Sequence, residues 1–173
     1  MDAAKRSKRQ GTSIVRILDG GFRRGNLALA SLLKIKDTKL SLPEAVIALS
    51  PATDFTAGSP SLDSRASVDP IINPAVLPAL IPVYLGKNTD PTNPYASPLF
   101  GDYRGMPPIL LQVGDSEVLL DDSKRLAKHA DKQGCDVTLE VWDGMPHVFQ
   151  GFAPFLPQAT EAIVNIGNFI RKH

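Results

Sequence analysis

The sequence predicts an α/β fold built on a mostly parallel sheet of three to four strands. Three observations predict it. Residues 45–49 and 109–113 are short, continuous apolar runs, the pattern of strands covered on both faces. Longer stretches between and after such runs carry apolar residues at helical spacing. Strand and helix therefore alternate, and a crossover helix is what parallel neighbours need.

The elements follow in chain order. Ile14-Val15-Arg16-Ile17-Leu18 is a candidate first strand. Residues 26–37 place Leu27, Leu29, Ala30, Leu32, Leu33 and Ile35 on one broad face, with Lys34 and Lys36 between, which predicts a helix. Ala45-Val46-Ile47-Ala48-Leu49 is the next strand. Residues 51–107 hold most of the fifteen prolines and only a weak helical stretch near 75–85. They read as an irregular excursion, of the kind that becomes a lid or binding loop, and not as a second core domain. Ile109-Leu110-Leu111-Gln112-Val113 is another buried strand. Residues 123–133 carry Leu126, Ala127 and Ala130 at helical spacing, and Gly134 is the expected stop. Residues 137–142 alternate as a strand does. The last helix is expected over 156–172, with Ala159, Ala162, Ile163, Ile166, Phe169 and Ile170 on one side.

Composition narrows the class. Of the 173 residues 43% are apolar and 21% charged, as in a globular domain. The net charge of +1 conceals an uneven distribution. Residues 1–25 hold seven basic and two acidic residues, a net +5, while the remainder holds 12 basic and 16 acidic, a net −4. The basic run Lys5, Arg6, Lys8 and Arg9 lacks interleaved aromatics, so we expect a solvated segment and no nucleic-acid binding. No apolar stretch reaches the roughly 20 residues of a membrane span, and none forms a signal-peptide core. Cys135 is the single cysteine, so no internal disulfide can form, and a cytoplasmic setting is expected. No Cys/His cluster has metal-ligand spacing, so neither metal nor cofactor is expected.

Two loops follow predicted strand ends, where open α/β sheets place their sites. One is Gly114-Asp115-Ser116-Glu117-Val118-Leu119-Leu120-Asp121-Asp122. The other is Asp143-Gly144-Met145-Pro146-His147-Val148-Phe149. A carboxylate after one strand and a histidine after a later one match the last two members of a nucleophile–acid–histidine relay. Taken singly, each is more often structural than catalytic. Ser13, Ser97 and Ser116 are poor nucleophile candidates, because none stands in a Gly-x-Ser-x-Gly elbow. Asp69-Pro70 reads as a turn, and Trp142 as packing at a strand end.

Several segments in this order carry a family resemblance. They are Gly25-Asn26-Leu27-Ala28-Leu29-Ala30, Leu49-Ser50-Pro51-Ala52-Thr53-Asp54, Tyr95-Ala96-Ser97-Pro98-Leu99, Pro107-Pro108-Ile109-Leu110-Leu111-Gln112-Val113-Gly114 and Gly144-Met145-Pro146-His147-Val148-Phe149. With them the chain resembles the hormone-sensitive-lipase-like esterases and lipases of the α/β-hydrolase fold, from about Gly20 to Phe169. The resemblance implies the C-terminal part of that fold, residues 26–173, and hydrolysis of carboxylic esters, small-molecule substrates of short acyl chain. It implies His147 as the base. In the family the acid opens an acid-x-Leu-x-acid motif, here Glu117-Val118-Leu119-Leu120-Asp121, which implies Glu117 as the acid, with Asp115 the second choice. Relatives also pair through the last strand and last helix, which implies a homodimer through about 137–142 and 156–172.

The chain departs from the family at its nucleophile. The family pattern Gly-Asp-Ser-Ala-Gly-Gly-Asn-Leu-Ala meets Gly20-Gly21-Phe22-Arg23-Arg24-Gly25-Asn26-Leu27-Ala28, so Phe22 stands in place of the serine. A benzyl group cannot attack a carbonyl, and without a hydroxyl no acyl-enzyme forms. The family's upstream His-Gly-Gly-Gly segment, part of its oxyanion hole, is also missing. The chain as written is therefore expected to be a truncated, inactive hydrolase. The string GGGGATTCCGCCGGGGG encodes Gly-Asp-Ser-Ala-Gly in one frame. Read from its third base, a frame displaced one base backward, it encodes Gly-Phe-Arg-Arg-Gly, residues 21–25. An out-of-frame stretch over residues 1–25 accounts for both the motif and the basic composition. A sequencing error and a genuine pseudoenzyme serving as an interaction module are the alternatives.

Overall fold

A computed structural model of the chain describes residues 15–17, 24–86 and 89–173. Among the described residues four strands form one sheet: β1 (Val15–Ile17), β2 (Val46–Leu49), β3 (Ile109–Gly114) and β4 (Val137–Trp142). Their order is β1-β2-β3-β4, and every neighbouring pair is parallel. Five helices accompany them among the described residues: α1 (Arg24–Asp37), α2 (Ser61–Ser64), α3 (Leu77–Leu85), α4 (Leu120–Asp131) and α5 (Pro157–Lys172). The α/β class and the parallel sheet read from the sequence are both present. The basic residues at 5–9, Ser13 and the nucleophile position Phe22 lie outside the described residues.

Continuous apolar runs predict strands sandwiched by helices, and the packing agrees. Val46, Ala48, Ile109 and Leu111 cluster with Leu29, Leu32 and Leu33 of α1 and with Leu126 and Ala130 of α4. The alternate residues Ile47, Leu49 and Leu110 cluster with Ile166 and Phe169 of α5. Each fully buried aliphatic side chain is worth about 2 kcal/mol. Both faces of β2 and β3 therefore contribute to stability. At the end of the sheet, β4 is only half buried.

The helix α4 begins three residues before the expected start. Leu120 and Ser123 already belong to its buried face, and Asp121 and Asp122 lie in its first turn, where carboxylates suit the helix dipole. Gly134 adopts φ +80, which a β-carbon disfavours. There the chain turns so that the Cys135 N–H donates to the Ala130 carbonyl at 3.1 Å.

The excursion 51–107 is more ordered than its composition suggests. It contains α2, α3 and single 3₁₀ turns at Pro74–Val76 and Pro98–Phe100. Ala52, Phe55 and Ala96 form an apolar cluster with Val118 and Leu119 from the loop after β3, and Leu62, Ile81 and Tyr84 pack against it. The excursion thus closes over the segment that carries Glu117.

Cys135 is buried, and its thiol reaches toward the Pro107 carbonyl at 3.6 Å. Burial, and then the neighbouring Asp136 carboxylate, push its pKa up to about 11. The native chain should react with a disulfide reagent such as DTNB about a hundredfold more slowly than the urea-unfolded chain, the ratio expected from thiolate fraction alone below pH 9. Stopped-flow absorbance checks this; equal rates would place the thiol at the surface. No described helix is long and apolar enough to cross a membrane.

Candidate active site

Three consecutive strands end at one place, and each delivers one side chain. Ser50 follows β2 directly, Glu117 lies three residues beyond β3, and His147 five residues beyond β4. All three are buried. The loops converge because the strands are parallel neighbours, so their C-terminal ends share one edge of the sheet.

Glu117 and His147 meet. His147 Nδ1 lies 2.7 Å from Glu117 Oε2. The other carboxylate oxygen, Oε1, accepts the Ser50 hydroxyl at 2.6 Å and the Gly114 backbone N–H at 2.8 Å. Glu117 therefore has a partner on each oxygen, as a buried carboxylate must. On the far side of the imidazole, His147 Nε2 is buried and has no hydrogen-bond partner among the described residues. Asp115, the second choice for the acid, points elsewhere. Its Oδ1 accepts the Gly144 N–H at 2.7 Å and the Ser116 hydroxyl at 3.0 Å. Asp115 thus braces the histidine-bearing loop and does not touch the histidine ring.

Gly114 permits this convergence. The loop after β4 passes directly over it. A β-carbon on Gly114 would overlap the Met145 carbonyl oxygen and lie 2.6 Å from the Met145 carbonyl carbon. The Ser116 N–H donates to that same Met145 carbonyl at 3.2 Å. Phe149, fully buried, then anchors the histidine loop against Trp142 at 5.4 Å between rings, with Ala159 and Ala162 of α5 in the same cluster. Trp142 is a packing residue, as its place at a strand end suggested.

The acid loop is held from two sides. Asp69 forms the expected turn, accepting the Ile71 and Ile72 N–H groups at 2.8 and 2.9 Å. It has a second task that its local sequence did not reveal: its Oδ2 accepts the Val118 N–H at 2.9 Å. Asp122 is the second support. It is buried and accepts the backbone N–H groups of Thr53 and Asp54 at 2.5 and 3.0 Å, and the Ser59 hydroxyl. Burial pushes its pKa up to about 6, against the lowering pull of those hydrogen bonds. The neighbouring Asp54 is also raised by burial, but hydrogen bonds from Thr56 and Arg125 outweigh this and hold its pKa below the usual value. At the start of α1, the buried Asn26 donates to the carbonyls of Ala52 and Ala96 at 2.9 and 2.7 Å. α1 is thereby tied to the same group of loops. Among the described residues no group of side chains could hold a metal ion.

The comparisons agree with this geometry. The profile of a family described by the alpha/beta hydrolase fold matches residues 24–151. An acetyl-hydrolase of Streptomyces hygroscopicus is 38% identical over 154 residues, covering 89% of this chain and 51% of that protein. An esterase of Acinetobacter venetianus is also 38% identical, covering 88% of this chain and 50% of its own length. Among solved structures, an esterase of the bacterial hormone-sensitive lipase family superposes with a TM-score of 0.83 at 44% identity, over 86% of this chain and 50% of the other. An esterase/lipase from an uncultured bacterium gives a TM-score of 0.81 at 41% identity, over 86% and 50%. The chain spans about half the length of these relatives. The parallel sheet, the loops that end its strands and these relatives together place the chain in the α/β-hydrolase-fold family, on its hormone-sensitive-lipase-like branch.

Proposed function

We propose that this chain carries the acid and base of a carboxylic-ester hydrolase, Glu117 and His147, and that it is inactive as written because Phe22 occupies the nucleophile position. The observation that supports the first part is the unpartnered Nε2 of His147, buried, with Nδ1 held by Glu117. In a serine hydrolase that nitrogen takes the proton of the attacking hydroxyl, and the carboxylate fixes the tautomer and stabilises the imidazolium. The nucleophile would enter from the start of α1, where Asn26 already ties the helix to the site. The family match begins at residue 24, which supports a boundary near residue 25 and an unrelated, out-of-frame stretch before it. The printed activities of the relatives, acetyl-hydrolase and esterase, support small carboxylic esters as the substrate class.

The test has two arms. The chain should neither turn over p-nitrophenyl acetate nor take up a serine-directed phosphonate. The combined substitution Gly21→Asp, Phe22→Ser, Arg23→Ala and Arg24→Gly rebuilds the family pattern. It should gain stoichiometric labelling, read by intact mass. Adding His147→Ala should slow that labelling by at least about a hundredfold, the scale of general-base catalysis. Labelling and turnover by the unaltered chain would mean a nucleophile elsewhere.

A non-catalytic reading has one observation in its favour. β4 is an edge strand among the described residues, with Val141 exposed on it and Val164 exposed on α5. Such an edge is a template for pairing. A homodimer through β4 and α5 would use it, and light scattering reports the mass directly.

A further inference from the structure

We propose that Ser50 is a positioning residue of the acid–base pair: its hydroxyl fixes the plane in which the Glu117 carboxylate meets His147 and ties the histidine-bearing loop to it. The proposal rests on the reading of Glu117 and His147 given above.

A hydroxyl has one hydrogen to donate and lone pairs to accept with. Ser50 uses both kinds, and uses them on the two halves of the pair. It donates to Glu117 Oε1 at 2.6 Å and accepts the Val148 N–H, the residue after His147, at 3.2 Å. Its own N–H continues the ladder to Gln112 of β3 at 2.8 Å. One buried residue therefore touches all three strand ends. The terminal torsion of glutamate is broad, so nothing intrinsic fixes the plane in which its carboxylate meets the imidazole. Two donors on Oε1, from Ser50 and Gly114, leave Oε2 for His147 Nδ1.

The backbone at both ends of the Ser50–Val148 hydrogen bond supports a functional constraint. Ser50 has φ +45 and Val148 has φ +51 with ψ +43. Left-handed backbone is uncommon for any residue with a β-carbon, and a β-branched residue there is an outlier. Such conformations persist only where surrounding structure over-determines them. Glycine is the unstrained residue for the backbone of position 50. Only the hydroxyl gives serine an advantage there, and that hydroxyl is spent on the pair.

The test uses the whole chain and the variant Ser50→Gly, which suits the backbone and removes the hydroxymethyl group. Nitrogen-15 labelled histidine reports the imidazole tautomer through long-range proton–nitrogen correlations at mildly alkaline pH. In the unaltered chain His147 should be in the Nδ1–H form, with that proton far downfield. In Ser50→Gly the ratio of Nδ1–H to Nε2–H should fall by about tenfold, the scale of one lost charge-assisted hydrogen bond, while the amide spectrum stays dispersed. The control Ser123→Ala removes another buried hydroxyl, one without a hydrogen-bond partner among the described residues. It should leave the ratio unchanged. An unchanged ratio in Ser50→Gly, or equal loss in Ser123→Ala, overturns the role of Ser50. A collapsed amide spectrum in Ser50→Gly also overturns it, because the hydroxyl then holds the fold and not the pair. Absence of the Nδ1–H form in the unaltered chain overturns the acid–base reading itself.

Discussion

Replacing Asp122 with alanine should cost on the order of 3–5 kcal/mol of stability, the scale for breaking a buried, hydrogen-bonded charge. One carboxylate accepts the Thr53 and Asp54 N–H groups and the Ser59 hydroxyl, and Ser59 in turn accepts from Arg125 at 2.9 Å. Alanine leaves those donors buried without acceptors, at about 1–3 kcal/mol for each one that stays dry. A domain has only about 5–15 kcal/mol in total, so urea unfolding should shift far toward zero denaturant. A shift under about 1 kcal/mol would mean that water reaches the donors. Asp122→Asn keeps the volume and one acceptor oxygen, and should fall between. The same carboxyl gives a pH signature. Its folded pKa of about 6 lies above the ordinary 3.8, so the folded chain binds this proton more tightly than the unfolded one. The stability that this proton linkage supplies is fully present below the ordinary value, falls as pH rises to the folded value, and is flat above it, while the hydrogen bonds to the carboxyl remain. That slope should vanish in Asp122→Ala.

Gly114→Ala should be comparably severe, about 3 kcal/mol or more, at the upper end of overpacking costs. The obstacle is backbone, the Met145 carbonyl, and not the tip of a flexible side chain. To admit a methyl group, the whole loop carrying His147 must lift away from β3. Stability and the histidine tautomer should therefore fail together in this variant. A stable Gly114→Ala chain that keeps the Nδ1–H signal would refute the close approach. Circular dichroism with urea, and the same nitrogen-15 spectrum, read the two outcomes.

The fold was legible because its signals are local. Apolar runs such as Ile109 to Val113 declare a strand by themselves, and Gly134 declares the end of α4. The two loops at the strand ends were legible from the residues, but the choice of Glu117 came from family motifs, since an acid-rich loop does not say which carboxylate turns inward. The motif register favoured Glu117 over Asp115, and the geometry has Glu117 against the imidazole and Asp115 on Gly144. The same motif drew attention to Asp121, yet the deeply buried carboxylate is its neighbour Asp122. Helical phase decides between them, and that phase is set by the start of α4 at Leu120. Ser50 was quoted within a motif but given no role. Its partners lie 67 and 98 residues away, and no local pattern marks a hydroxyl whose task is that distant.

The long excursion between β2 and β3 bears on how the chain assembles. β3 and β4 are joined by a single helix, whereas β2 and β3 are separated by the whole of 50–108. Closing a longer loop costs more chain entropy before any contact repays it, and pairings remote in sequence form slowly. The β3–α4–β4 unit is thus the natural nucleus; Glu117 lies within it, and His147 is on the loop that leaves it. Ser50 belongs to the strand that arrives across the larger gap. Glu117 and His147 would come together first, and their alignment would be completed only when the last distant piece of the sheet docks.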